Sequence, residues 1–349
     1  MHDEKKYSDA LKQYEIIHTI DPEYWRAQYE KTLTYNATSQ IDKSREIYEL
    51  AYSSGLMTDR LIFLMGYGSF LSDQKEYVKS EQIFKEAENL SPHYGALLYN
   101  MSLLYLRMEN IQKCVDYAKK SITYNPQHAG SHYLLGAVAF DQGRIVEGSL
   151  ALGAYLMLAP DGGVAEKSIL KINAKFGENY LEKGKAIFSA SGDNFEELEV
   201  ILRNQLPLRS AYKIQSDFDD PVIRQLQAVA EYATTHKIED GFFESIYLPW
   251  YADMFRRNFF EGYSYYILAS MEEKLGKKLS AKKKKVEDFV TNYVAADFWP
   301  VFAKRKLDVF GQEREVVLYL QNGNPWGVGT VVNGNKQGNF KALYPSWNT

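Results

Sequence analysis

One cysteine, Cys114, among 349 residues excludes an intrachain disulfide, so burial and hydrogen bonding must hold the fold without covalent staples. No run of about 18 apolar residues is present, which excludes a membrane-spanning helix of ordinary length. An excess of one charge is missing too: 41 Lys and Arg face 45 Asp and Glu, for a net charge of -4. The chain as a whole is therefore steered toward neither nucleic acid nor anionic lipid. No G-x-x-x-x-G-K-[ST] loop occurs, and Gly327-Val328-Gly329 lies in a hairpin context instead of before a helix, so no nucleotide fingerprint is read. Neither H-E-x-x-H nor G-x-S-x-G is present. His128 and His132 have helical i, i+4 spacing but straddle a turn, with no third ligand nearby in sequence. Asp217, Asp219 and Asp220 lack the glycine and distal glutamate of a calcium loop and read as helix caps. The expectation is no catalytic residue, no metal and no cofactor.

What the chain has is period. Pro92, Pro126 and Pro160 are 34 residues apart, and Pro22 precedes Pro92 by 70, two periods plus two residues around Ser54-Gly55-Leu56-Met57. Before each proline a small residue, a large apolar one four later and a small one three later recur: Ser80, Phe84, Ala87, Pro92; Cys114, Ala118, Ser121, Pro126; Gly148, Leu152, Tyr155, Pro160. Ser44, Tyr48 and Ala51 follow the same spacing, and Ala10, Tyr14, Ile17 and Pro22 follow it loosely. Tyr67-Gly68 and Leu135-Gly136 occupy the matching place in the preceding segment. Antiparallel helices approach closely only where a small side chain faces a large one, and proline ends the second helix. A single helix pair cannot bury its face alone, so several must stack. This register over about residues 7–160 resembles the tetratricopeptide repeat family.

The resemblance implies a mainly α fold, a helical solenoid (an α–α superhelix) of four to five repeats over 1–180, the first incomplete. A helical, aromatic-rich extension is expected over 181–307 and a small antiparallel β tail over 308–349. Val164 to Lys175 reads as one further helix. Asn194 before Glu196-Glu197 and the Asp217–Pro221 stretch read as helix starts, and Gly177, Gly184 and Ser189–Asn194 as loops. Gly262 to Leu275 resembles a repeat's first helix. In the tail, Glu315–Leu320 is strand-like, and Asn322-Gly323 and Asn333-Gly334 are hairpin dipeptides. The stretch NGNKQGNFKALYP (Asn333–Pro345) and the looser NGNPWGVGTVV resemble MORN repeats.

In the tetratricopeptide family the first helix of each repeat lines the concave face. The resemblance therefore points to Tyr29, Asn36, Met65, Ser69, Tyr99, Asn100, Leu103, Tyr133 and Phe140 as a partner-binding groove, aromatic and apolar with a few polar groups. A peptide or protein segment is the implied partner, and a scaffold or adaptor within a larger assembly the implied role. Proteins that clamp a terminal carboxylate carry Lys and Asn at successive first helices; here only Asn100 matches, which argues against that subtype. Two alternatives stand beside this reading. Lys277 to Lys285, with six lysines, could touch an anionic membrane surface together with the tail. The aromatic stretch 242–275 could line a small-ligand pocket or an enzyme site. The polar start MHDEKKYSDA shows no apolar signal core, yet the first repeat lacks its first helix. A processed or truncated start implies the cell envelope of a bacterium, and a native Met1 the cytoplasm.

Overall fold

The computed structural model describes residues 6–55, 59–177, 192–308, 312–321, 324–332 and 335–342, the last stretch from residue 319 through its backbone only. Two compact units emerge: one is Met1–Pro92 with Asn100–Asn110, the other His93–Tyr99 with Ile111–Thr349. The first contains α1 (Tyr7–Glu15), α2 (Tyr24–Ala37), α3 (Ile41–Ser54), α4 (Arg60–Asp73) and α5 (Tyr77–Leu90), each packed on its chain neighbour. α6 (Gly95–Arg107) is divided, its residues from Asn100 onward belonging to this unit.

The repeat chemistry is visible atom by atom. Thr32 Oγ1 donates to the Tyr48 hydroxyl at 3.0 Å, and 36 residues on a Cβ added at Gly68 would sit 2.6 Å from the Phe84 ring. Both pairs join a small first-helix residue to a large second-helix residue. Ser44 Oγ donates to Thr32 O at 2.9 Å and Ser80 Oγ to Gly68 O at 2.7 Å, so the small second-helix residue is also a clip onto the first helix's backbone. Pro92, Pro126 and Pro160 each lie two residues past the last residue of a helix, as the spacing predicts. α1 is the exception: it ends at Glu15, so Ile17 and Pro22 lie beyond it.

Between first and second helices one residue is left-handed at a constant register: Ser39 (φ 58°), Lys75 (φ 64°), Glu109 (φ 59°) and Gly143 (φ 76°). The following amide reaches back five residues each time, Gln40 to Tyr35 O, Glu76 to Leu71 O, Asn110 to Tyr105 O and Arg144 to Ala139 O, all at 2.8–2.9 Å. This is the Schellman closure, which satisfies carbonyls the helix leaves orphaned. Only one of the four carries glycine. Lys75→Gly should therefore stabilise by about 0.5–1 kcal/mol, and Gly143→Ala should destabilise by about 1–2 kcal/mol. Urea midpoints of the two variants check both signs.

In the second unit α7 (Ile111–Tyr124), α8 (Ala129–Asp141), α9 (Ile145–Leu158) and α10 (Ala165–Gly177) again pack in succession. They share one hydrophobic core with α11 (Glu196–Arg203), α12 (Pro221–Thr235), α13 (Phe242–Arg256), α14 (Phe260–Tyr266), α17 (Lys283–Phe289) and α18 (Trp299–Phe302). α15 (Glu272–Leu275) and α16 (Lys277–Ser280) are single turns, and a π-helical stretch, Val290–Phe298, links α17 to α18. Asp220 caps α12, its carboxylate accepting the Val222 amide at 3.0 Å, with Pro221 in the first turn. Asn194 does not cap α11; its amide donates to Glu244 at 2.7 Å instead. Gly262–Leu275 is not one helix. The Ser270 amide leaves the helical ladder for Pro160 O at 3.2 Å, which breaks the segment into α14, a 3₁₀ turn (Ala269–Met271) and α15.

The tail is a four-stranded antiparallel sheet in chain order, β1 (Lys304–Asp308), β2 (Glu313–Gln321), β3 (Asn324–Val332) and β4 (Asn335–Ala342). β2 covers the expected strand. The dipeptides Asn322-Gly323 and Asn333-Gly334 lie outside the described residues, as do Leu56-Met57, Gly184, Ser189–Ser191 and Tyr344-Pro345. The fold is thus mainly α, helices stacked in adjacent pairs as in a solenoid, followed by a small antiparallel sheet.

Candidate partner-binding surface

In the first unit, α2 and α4 are first helices of successive repeats, and a cleft of about 120 Å³ opens between them. Trp25, Tyr29, Ile62 and Phe63 form its apolar wall, and Arg26, Glu30 and Asp59 its charged rim. Phe63 is buried, whereas Ile62 is 38% exposed. The Tyr29 ring lies 6.3 Å from Phe63 and against Gly66, where a Cβ would stand 2.5 Å from it. Gly66 thus makes room for the Tyr29 ring. Arg26 is paired with Glu23 at 3.6 Å, so the mouth of the cleft keeps acidic character through Glu30 and Asp59.

Of the residues the repeat register singles out, Tyr29 lines this cleft. Ser69 and Asn100 meet through a long hydrogen bond, Nδ2 to Oγ at 3.4 Å. Asn36 presents a buried Oδ1 with no hydrogen-bond partner, and Met65 and Leu103 are half-buried. Trp25 and Phe63 were not singled out, although Trp25 sits one helical turn before Tyr29 and the i, i+4 spacing marks it.

In the second unit, Tyr99 is half-buried with its ring 4.6 Å from His128, and burial raises its hydroxyl pKa. Tyr133 is half-buried, 5.5 Å from the Tyr155 ring. Phe140 must be corrected: it is fully buried, and the Cβ position of Gly148 on α9 falls 2.6 Å from its ring. The close helix pairing that Gly148 permits draws Phe140 into the core. The two histidines are structural. His128 Nδ1 accepts the Ser131 amide at 3.2 Å and caps α8. His132 is fully buried between Pro126 O at 3.0 Å and the Tyr247 hydroxyl at 2.9 Å, and burial drives its pKa down to about 3, so it stays neutral.

Of the two alternative regions, the aromatic stretch is packed inside and the lysine run lies on the surface among acidic neighbours. Tyr247, Trp250, Tyr251, Tyr263 and Tyr265 in 242–275 are buried within 2% exposure; Trp250 and Tyr251 stack at 3.9 Å, and Tyr263 meets both edge-on. They fill a core. Of the lysine run, Lys282 pairs with Asp217, Lys285 with Glu261 at 2.7 Å and Lys283 with Glu287 at 3.7 Å, while Lys278 lies over the Phe218 ring. Among the described residues no group of three or more His, Cys, Asp or Glu could hold a metal, and no helix is long and apolar enough to cross a membrane.

No family model matches the chain. A stretch of 188 residues, 54% of the chain, is 23% identical to the BBSome complex member BBS4 homolog of Drosophila melanogaster and spans 37% of that protein's length. The similarity is distant and partial. It accords with a helical-repeat chain, and it bears on neither the MORN resemblance nor a bacterial source.

Proposed function

We propose that this chain is a non-catalytic scaffold of tetratricopeptide type that binds a peptide or protein segment on the first helices of its repeats, as a subunit of a larger assembly. The observation that carries the reading is the cleft between α2 and α4, where Tyr29 and the exposed Ile62 stand beside Trp25 over the buried Phe63. A large apolar side chain of a partner fits such a slot, with Asn36 and Asn100 able to meet its backbone. The distant relative's membership of an assembly supports the same reading. The division into 1–180, 181–307 and 308–349 and the MORN-like character of the tail belong to this proposal, the latter supported by the antiparallel hairpins β2–β3 and β3–β4.

Affinity purification of the full chain beside Tyr29→Ala and Ile62→Ser tests it. The expected result is a stoichiometric partner held by the wild type and lost at least tenfold by both variants, with unchanged circular dichroism. A partner retained by both variants would displace the cleft from the binding role. Recovery of none under several conditions would count against the scaffold itself.

A further inference from the structure

The cleft between α2 and α4 has room for one side chain and not for a helix. Its volume of about 120 Å³ is close to the roughly 150 Å³ of an apolar cavity that admits a benzene ring. Its walls are set before anything enters. Tyr29 rests against Gly66, and the Phe63 ring has Tyr29 at 6.3 Å and the buried Tyr48 at 5.3 Å. A slot of this kind receives a large apolar group without first ordering itself. Its rim is charged and unbalanced. Arg26 has Glu23 at 3.6 Å, and Arg60, the neighbour of Asp59, is paired with Glu86. Glu30 and Asp59 have no cation within ion-pair distance among the described residues. Asp59 precedes α4 without capping it, so its carboxylate is not tied to the helix amides. If Arg26 turned from Glu23 to Glu30, four residues on, one guanidinium would still face three carboxylates, and the mouth would stay negative.

We infer that the segment held in this cleft carries a large apolar residue with Lys or Arg within two positions of it, the apolar side chain in the slot and the cation at Glu30 and Asp59. The inference rests on the binding role proposed for the cleft and adds the chemistry of its partner. The two parts of the site act differently. Burial of the apolar group on Trp25, Tyr29, Ile62 and Phe63 supplies the affinity. The carboxylates supply selectivity: a solvated rim pair contributes little energy, yet it steers a basic segment in and turns an acidic one away. An Asp or Glu beside the anchor would bring a further negative charge to carboxylates that already lack a counterion. Because the rim meets water, salt screens it, and the preference weakens as ionic strength rises.

Panning a random linear peptide library displayed on phage against the full chain, Ile62→Ser and Glu30→Lys/Asp59→Lys reads the anchor and its neighbour separately. The wild type is expected to enrich peptides that pair a large apolar residue with Lys or Arg. Ile62→Ser should not retain them, and the charge-reversed variant should select Asp or Glu in place of the basic residue. A synthetic copy of a wild-type peptide should bind the reversed variant about tenfold more weakly at low salt, a gap that narrows in about 0.5 M NaCl. Peptides that depend on Ile62 but carry Lys and Arg no more often than the unselected library would overturn the inference and leave the binding role of the cleft standing. Peptides retained by both variants, or none recovered, would remove that role and the inference with it. If the reversed variant does not fold, Glu30→Gln/Asp59→Asn, which keeps a capping residue before α4, gives the same reading as a loss of the basic preference.

Discussion

Arg305→Met should make the second unit more stable, by about 1–3 kcal/mol in urea denaturation. Arg305 is the second residue of β1 and points inward, 4% exposed. Among the described residues no carboxylate meets it. Nη1 donates to Phe302 O and to Lys304 O, the latter at 2.7 Å, and the guanidinium carbon lies 5.7 Å from the Phe302 ring centroid. Nε and Nη2 have no acceptor. Desolvation lowers its pKa to about 9, with the Tyr247 hydroxyl the main opposing influence. A guanidinium does not give up its proton near neutrality, so the misfit is borne as lost stability and not as a neutral side chain. Methionine matches the aliphatic stem, fills the space beside Phe302 and buries no charge. The measurement is the urea midpoint at pH 7 for wild type, Arg305→Met and Arg305→Lys. A lower midpoint for Arg305→Met would mean that the two carbonyl bonds and the ring contact outweigh the desolvation.

Tyr48→Ala should cost about 3–5 kcal/mol, and Tyr48→Phe about 1 kcal/mol. The ring is 1% exposed and lies within 5.2–5.3 Å of Phe63, Tyr67 and Phe70, stacked at 14° on Tyr67. Alanine removes three aromatic contacts and leaves a cavity between α3 and α4. Phenylalanine keeps the ring and loses only the bond with Thr32. Chemical denaturation followed by far-UV circular dichroism separates the two. Equal costs would assign the stability to the hydroxyl, against the packing account.

How far these arrangements are legible in the sequence depends on what fixes each. The pairs Gly68 with Phe84 and Gly136 with Leu152 were readable because they are local and repeat: the same size match recurs at the same offset. The Schellman turns were not, because Ser39, Lys75 and Glu109 accept a left-handed backbone without announcing it as glycine does. The extension was opaque for a different reason. Its order comes from single long-range bonds such as His132 to Tyr247 and Ser270 to Pro160, which no period encodes. Of the residues lining the cleft, the register named Tyr29 but not Trp25 or Phe63, and it assigned the buried Phe140 to the groove. A position on a helix says which way a side chain points, not how near the next helix comes, and Gly148 decides that for Phe140.

The bond between His132 and Tyr247 joins residues 115 positions apart, and the Tyr263 hydroxyl reaches Gly153 O across 110. On a translating ribosome this distance is time. At about 5–20 residues per second, α8 and α9 wait on the order of ten seconds before the helices that cover them have been made. α9 is apolar nearly throughout, buried from Ile145 to Met157 in the finished fold. Nascent chains halted between residues 160 and 240 should therefore be the ones that chaperones hold. Those halted within the first unit, whose helices rest on their immediate neighbours, can settle as they emerge.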